Sequence, residues 1–167
     1  DFGSSKIRLG IFNKDNTKNI ITLEEKCTSS FDKKDFNIDH SKEVIKNLIK
    51  SAEKRIEKHI NKINLMIDTT DMFSVDISLK KIFDMKKNIQ DDIQSILQEA
   101  KNTVQKNYFN KKIIHMIVKK YSFDEKIFYE TPDKNLDYKS LVLEIKFICI
   151  SKEVWERLER SLNENYL

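Results

Sequence analysis

The chain has 167 residues, which is enough for one ordinary domain or two small ones with a real hydrophobic core. Apolar residues make up 39% and charged residues 35%, and the 31 basic and 27 acidic side chains leave a net charge of +4. Basic and acidic residues are interleaved, so the sequence predicts no concentrated basic stripe. No apolar run approaches the about 18 residues of a membrane-spanning helix.

Cysteines and clustered aspartates are the residues that most often indicate a metal site, and here they argue against one. Cys27 and Cys149 lie far apart, each in an apolar strand pattern and without a CxxC or Cys/His cluster, so we expect buried free thiols in a reducing cytosol. Asp68, Asp71 and Asp76 lie close in sequence but lack the spacing and the glycine of an EF-hand loop.

The first five residues carry the strongest functional pattern. Asp1, Gly3, Ser4 and Ser5 stand at the mouth of a predicted hairpin. Glycine lets backbone N–H groups approach a phosphate, serine hydroxyls add donors, and a carboxylate can hold a water of a bound Mg²⁺. Glycine and serine are also ordinary turn residues, so the pattern alone favours a simple turn, and the hairpin strengthens the phosphate interpretation. Because the chain begins on this pattern without a methionine, we expect a piece of a longer protein.

Alternating and helical periodicities predict the elements of the first half. Apolar residues alternate over 7–12 and return over 20–25, which predicts a hairpin with a polar turn between its strands. An apolar stripe at helical spacing predicts a helix over 39–60. A short apolar run over 63–67 then predicts a strand that ends at the polar residues 68–71.

The second half repeats the alternation of strand and helix. Alternation predicts a strand over 72–82, and Asn88 is positioned to cap a second helix. Further strands are predicted from 113 towards 123 and over 141–150, and Ser151 can cap a last helix. The predicted order is strand, helix, strand, strand, helix.

Histidines and lysine pairs are predicted to be ordinary surface or core residues. His40, His59 and His115 have no partners at metal-ligand spacing. The lysine pairs mostly lie beside acidic residues and no aromatic-and-glycine RNA-binding pattern accompanies them, so a solvated face explains them better than nucleic acid.

The order of these elements resembles the N-terminal part of FtsA, the actin-like bacterial cell-division family. Residues 1–6 look like the first phosphate loop of that family, followed by its hairpin. The predicted helix over 39–60 and the strand over 63–67 look like the continuation of its first actin-like subdomain. Residues from about 69 to 165 resemble its inserted subdomain, named SHS2 after its strand-helix-strand-strand order.

Several short sequence segments support the resemblance to the inserted subdomain. Residues 88–93 look like the start of its helix and Ala100-Lys101 like the end of it. Residues 113–117, together with Tyr121 and Asp124, are similar to the next strand. Residues 144–148 are similar to the strand that follows.

The resemblance implies an α+β fold with two parts. Residues 1–68 would be an incomplete actin-like (ribonuclease H-like) subdomain, and residues 69–167 the SHS2 subdomain. Relatives bind ATP with Mg²⁺, so Gly3, Ser4, Ser5 and Lys6 would face the nucleotide phosphates. Asp1 would hold Mg²⁺ through water.

The resemblance also implies partners and a location. Relatives bind FtsZ, attach to the cytoplasmic face of the inner membrane at the division site through a C-terminal amphipathic helix, and form filaments. Their SHS2 subdomain receives late division proteins such as FtsN. The segments that supply the second phosphate loop, the adenosine pocket, the FtsZ-binding subdomain and the membrane helix have no counterpart in these 167 residues. We therefore expect an interaction fragment without enzymatic activity.

Two alternatives remain beside the FtsA-like interpretation. One is another actin-like ATPase, of the pilus-assembly or plasmid-segregation kind, which shares the phosphate loop. The other is a freestanding basic α+β domain that binds nucleic acid. The inserted strand-helix-strand-strand order favours the FtsA-like interpretation.

Overall fold

The computed structural model describes residues 1, 6–12, 19–26, 42–67, 69–83, 88–132 and 136–163. These residues form three helices and two antiparallel sheets, so the predicted α+β class is confirmed. The chain divides into two compact units: unit 1 comprises Asp1–Asp71 and Glu153–Leu167, and unit 2 comprises Met72–Lys152. The predicted division into domains at residues 68 and 69 stays a prediction.

Unit 1 consists of a hairpin and helices. Strands β1 (Lys6–Phe12) and β2 (Asn19–Lys26) pair antiparallel, and helix α1 (Lys42–Ile56) contacts both. Apolar residues at helical spacing form the buried face of α1. The buried apolar residues of this unit are Ile7, Ile45, Leu48, Ile49 and Ala52, together with Val154 and Leu158 from its C-terminal segment. This core supports the hairpin that carries the predicted site.

Helix α1 ends four residues before the predicted boundary at 60. Glu57 adopts a left-handed conformation, with φ of 54°, directly after the last helical residue. The carboxylate of Glu53 accepts a hydrogen bond from the Ile60 N–H at 2.9 Å and lies 2.6 Å from His59 Nδ1. These contacts turn the chain away from the helix axis, and the apolar periodicity that continues to Ile60 does not report them.

The predicted strand over 63–67 is wrong. Ile63 and Leu65 are half-buried and alternate with exposed neighbours, as in a strand, but the segment has no strand partner among the described residues. A strand needs the backbone groups of a neighbour. The alternation of apolar residues indicates which side chains are buried, but it does not indicate whether a neighbouring strand is present.

Unit 2 is one sheet covered by one helix. Its elements are β3 (Phe73–Ile82), α2 (Ile89–Asn107), β4 (Lys111–Phe123), β5 (Lys126–Phe128) and β6 (Ser140–Ser151), and the strand order is β3-β6-β4-β5 with every pair antiparallel. Alternate residues of β6 are at most 1% exposed and pack in one cluster with the apolar face of α2: Leu141, Leu143, Ile145, Phe147 and Cys149. The core of unit 2 therefore lies between α2 and the sheet, with β6 supplying its most deeply buried strand residues.

Helix boundaries in the second half follow local hydrogen bonding. The Asn88 side chain accepts a hydrogen bond from the Gln90 N–H at 3.1 Å, which caps α2 where the sequence predicts. Helix α3 (Lys152–Asn163) follows β6 directly, and all of it except Lys152 belongs to unit 1.

Within the described residues, no helix is long and apolar enough to cross a membrane.

Candidate functional site

The predicted phosphate site is only partly within the described chain. Gly3, Ser4 and Ser5 lie outside the described residues, so their predicted contacts with phosphate stay predictions. Asp1 and Lys6 are described. The Asp1 nitrogen donates to the Arg8 carbonyl at 2.9 Å, and the Arg8 N–H donates to the Asp1 carbonyl at 3.0 Å. These two hydrogen bonds hold Asp1 beside β1.

Four charged side chains of alternating sign lie in contact on one face of the β1–β2 hairpin. Lys6 Nζ lies 2.7 Å from Glu24 Oε2, and Arg8 Nη1 lies 3.1 Å from Asp1 Oδ2. Arg8 Nε is 3.6 Å from the same Glu24 oxygen, so the guanidinium links the two ion pairs. We name these four residues, Asp1, Lys6, Arg8 and Glu24, the hairpin charge cluster. Their formal charges sum to zero.

The hairpin charge cluster has a direct consequence for anion binding. Lys6 holds a carboxylate where the resemblance implies a phosphate, and Asp1 holds Arg8 where it implies hydrated Mg²⁺. All four side chains are between 32% and 54% exposed, and exposed ion pairs contribute little stability. A phosphate, which carries more charge and more acceptors than Glu24, can therefore replace that carboxylate at Lys6.

The hairpin charge cluster also lowers the pKa of one of its own carboxylates, that of Glu24. The hydrogen bond from Lys6 and its positive charge lower the pKa of Glu24, with a smaller contribution from Arg8. Glu24 is ionised at neutral pH, as an ordinary glutamate is, and the lowered pKa keeps it ionised further into the acid range. It competes with a phosphate for Lys6 as a full negative charge.

A groove of about 720 Å³ lies in unit 1 beside the charge cluster. Its walls come from β1, from α1 and from the extended segment 60–66, and most of its surface is apolar. Asp1 and Arg8 both line it, so one part of the groove carries charge. Its volume falls within the range of small-molecule sites, which is about 300–1,000 Å³.

Sequence analysis missed Arg8 and Glu24. Alternation along β1 places Lys6 and Arg8 on one face, and this part is readable from the sequence. The register that sets Arg8 opposite Glu24 depends on the turn between the strands, and a shift of one residue moves Glu24 to the other face. Register was therefore the missing information.

The other residues weighed in the sequence mostly have ordinary partners. Cys149 is buried and free, as predicted, and burial raises the pKa of its thiol. Asp76 contacts Lys119 at 3.5 Å and Lys146 at 4.0 Å. Within the described residues, no group of three or more His, Cys, Asp or Glu side chains is arranged to hold a metal ion. Cys27, His40 and Asp68 lie outside those residues.

Among the described residues of unit 2, Asp92 is a buried carboxylate with a specific partner. Asp92 is 3% exposed and accepts a hydrogen bond from the Tyr138 hydroxyl at 2.7 Å. The Tyr138 ring packs edge-on against Phe123 and Phe83, with centroid distances of 4.7 and 5.9 Å. Burial and the hydrogen bond to Asp92 raise the pKa of Tyr138, so its hydroxyl stays a donor. The pair fastens α2 to the segment that precedes β6.

Comparisons with known proteins assign no family. No family model matches the chain, and no curated protein matches it significantly.

Proposed function

We propose that this chain is part of a cell-division protein of the FtsA kind. In this proposal the hairpin of unit 1 belongs to an actin-like subdomain, and unit 2 is an SHS2 subdomain that receives division proteins such as FtsN. The whole protein links FtsZ filaments to the cytoplasmic face of the bacterial inner membrane, self-associates into filaments and has no role in nucleic-acid binding. The contacts with FtsZ and with the membrane belong to segments outside these 167 residues.

One observation carries the proposal. A second compact unit begins at Met72, and its main elements follow in the order β3, α2, β4, β6, which is strand, helix, strand, strand. The three-residue β5 is an addition to that order. An insertion of this order at this place is the feature by which the FtsA-like interpretation differs from other actin-like ATPases.

Nucleotide binding by this chain alone is expected to be weak or absent. Ligand sites bury most of their ligand, and a single loop beside Lys6 encloses only the phosphates. The Glu24 carboxylate also lies beside Lys6, and its negative charge opposes the approach of a phosphate to that lysine. Titration of Mg²⁺–ATP against the 167-residue chain tests this expectation, and micromolar affinity would contradict it.

The nucleic-acid alternative loses support from the lysines of unit 2. Lys81, Lys119 and Lys120 contact Glu99, Asp76 and Glu144, respectively. Paired lysines release fewer counterions on binding a phosphate backbone than free ones do. A salt-sensitive mobility shift with DNA or RNA would favour this alternative over the FtsA-like proposal.

Localisation in the source bacterium separates the three hypotheses. A fluorescent fusion to the whole natural gene product is expected to form a ring at mid-cell that disappears when FtsZ is depleted. Foci that follow a plasmid, or a signal confined to pilus-bearing poles, would favour the other actin-like ATPases. A signal spread over the nucleoid would contradict the division role altogether.

A further inference from the structure

The groove of unit 1 is bounded along its length by two stretches of backbone. Every residue of β1 from Ile7 to Phe12 lines one wall, and every residue of the segment 60–66 lines the other. Successive side chains of a strand point to opposite faces, so a wall that includes all of them is the edge of the strand. The groove therefore runs along an edge of β1.

This edge of β1 has no strand neighbour within the part of the chain that the structure describes. β2 pairs with β1 along its other edge, and the two strands form a sheet of their own. Leu9 and Ile11 share a face with the buried Ile7 but are only half-buried. Helix α1 adds apolar side chains to the groove: Ile45, Leu48, Ile49 and Ile56. An extended chain in the groove would meet backbone hydrogen-bonding groups at the edge of β1 and apolar side chains from α1.

Asp1 already takes the first position along this edge. Its nitrogen donates to the Arg8 carbonyl at 2.9 Å, and the Arg8 N–H donates to the Asp1 carbonyl at 3.0 Å. Two residues that exchange both backbone hydrogen bonds lie directly opposite each other in an antiparallel pair. Their side chains share a face, as the 3.1 Å contact between Arg8 Nη1 and Asp1 Oδ2 shows. Asp1, which also lines the groove, is thus placed as a residue of a strand antiparallel to β1.

The surroundings of the Asp1 nitrogen favour an amide over a charged terminus. Burial, and then the positive charge of Arg8, lower the pKa of this amino group. Both causes disfavour a positive charge here, and an amide N–H makes the same hydrogen bond without one. Residues joined to this nitrogen in the same strand direction would lie opposite Leu9, Gly10, Ile11 and Phe12 in turn.

We propose that the groove holds a third strand of unit 1, antiparallel to β1 and supplied by the residues joined to the Asp1 nitrogen in the whole natural gene product. The first and third residues before Asp1 lie opposite Leu9 and Ile11, on the face that packs towards α1, so these two are apolar. The second and fourth lie on the opposite face. The proposal rests on the hairpin and its groove alone and requires neither the division role nor nucleotide binding.

Two designed extensions of the 167-residue chain test the fit of the groove. Thr-Val-Thr-Val joined before Asp1 sets its valines opposite Leu9 and Ile11, and the matched control Val-Thr-Val-Thr sets them on the other face. The Gly10 N–H points into the groove, as that of Arg8 does, whereas the Leu9 N–H points towards β2. Amide hydrogen exchange, followed by NMR, therefore reports the new strand at Gly10 and the integrity of the hairpin at Leu9.

The two extensions are expected to differ at Gly10. Thr-Val-Thr-Val should slow exchange of the Gly10 N–H by about fivefold or more relative to the unextended chain, and Val-Thr-Val-Thr should slow it less. Protection of the Leu9 N–H in all three chains shows that each hairpin is folded. Equal slowing by the two extensions, or no slowing by either, would overturn the proposal.

The whole natural gene product tests where the strand comes from. Exchange at Gly10 is expected to be at least as slow there as in the Thr-Val-Thr-Val chain, because the natural residues before Asp1 fill the groove. Rapid exchange at Gly10 in the whole gene product would overturn the proposal. Slow exchange that appears only on binding another protein or a second copy would overturn it equally.

Discussion

Asp124 joins two parts of the unit 2 sheet through a single carboxylate. Its oxygens accept hydrogen bonds from the Lys139 N–H at 2.8 Å, from the Ser140 N–H at 2.7 Å and from the Ser140 hydroxyl at 3.0 Å. These bonds, with that from the Lys139 N–H the largest contribution, lower the pKa of Asp124 in the folded chain. The ionised form is therefore the one that stabilises the start of β6.

The lowered pKa of Asp124 predicts a specific loss of stability in acid. A carboxylate whose pKa is depressed by folding contributes stability above its unfolded pKa of about 3.9, and this contribution is lost as the pH falls through the folded pKa. Asp124→Asn keeps the size of the side chain and removes the charge. We expect the variant to lose stability at pH 7 and to lose less than the parent between pH 4 and pH 2.

Urea denaturation at several pH values measures this difference. Since other carboxylates titrate in the same range, the relevant quantity is the difference between parent and variant at each pH. Parallel stability curves for the two proteins would contradict the role assigned to Asp124.

The hydrogen bond between Tyr138 and Asp92 predicts a stability effect that differs between two tyrosines. Tyr138→Phe leaves the buried Asp92 oxygen without this donor and is expected to lower the free energy of unfolding by about 1–3 kcal/mol. Tyr121→Phe removes an exposed 3.3 Å contact with Thr131 and should change it by about 0.5 kcal/mol or less. Equal losses in the free energy of unfolding of the two variants, measured by urea denaturation, would contradict the role assigned to the buried hydrogen bond.

At the scale of elements, the β4–β5 hairpin is strained at its turn. Asp124 and Glu125 are its two central residues, and both have positive φ, 46° and 82°. This is the geometry of a type I′ turn, which strongly prefers Asn-Gly or Asp-Gly. Glu125→Gly is expected to raise the free energy of unfolding by about 0.5–1 kcal/mol, because relief of the left-handed strain exceeds the entropy that glycine loses.

A second glutamate provides the control for this turn. Glu130 is also exposed but has no positive φ, so Glu130→Gly should stabilise nothing. Urea midpoints that rise equally for both variants, or fall for Glu125→Gly, would contradict the interpretation of the turn.

The elements that the sequence predicted well are those whose burial alternates or repeats regularly. In β3 and β6 every second residue faces α2, so the period alone indicates both strands to within one residue at each end. β5 escaped prediction because it has three residues and its turn lacks glycine. The strand predicted over 63–67 was wrong because periodicity does not report whether a neighbouring backbone is present. In the candidate site, the alternation of Lys6 and Arg8 was readable and the pairing of both with Glu24 was not.

At the scale of the whole molecule, the proposed division role assigns a different function to each of the two units. Unit 1 carries the hairpin charge cluster and the groove beside it, and unit 2 carries the main elements in the order strand, helix, strand, strand. The division of the chain at Asp71 and Met72 is consistent with an inserted subdomain. Composition gives no sign of that division, since both halves are similarly polar and the sequence change at residues 68–71 resembles an ordinary turn.

The central claim is that residues 1–6 bind the phosphates of a nucleotide in the intact protein. Lys26 is its matched control, because it faces Lys6 directly across the hairpin and is equally a lysine. Loss of a hydrogen bond to a charged group costs about 1.5–3 kcal/mol, so Lys6→Ala should weaken Mg²⁺–ATP binding by about tenfold or more. Glu24→Ala should strengthen it, because Lys6 is then released from its ion pair.

Isothermal titration of Mg²⁺–ATP against the whole natural gene product and these three variants is the most direct measurement. The account predicts weaker binding for Lys6→Ala, unchanged binding for Lys26→Ala and tighter binding for Glu24→Ala. Equal affinities for Lys6→Ala and Lys26→Ala, or no binding by the intact protein, would contradict it.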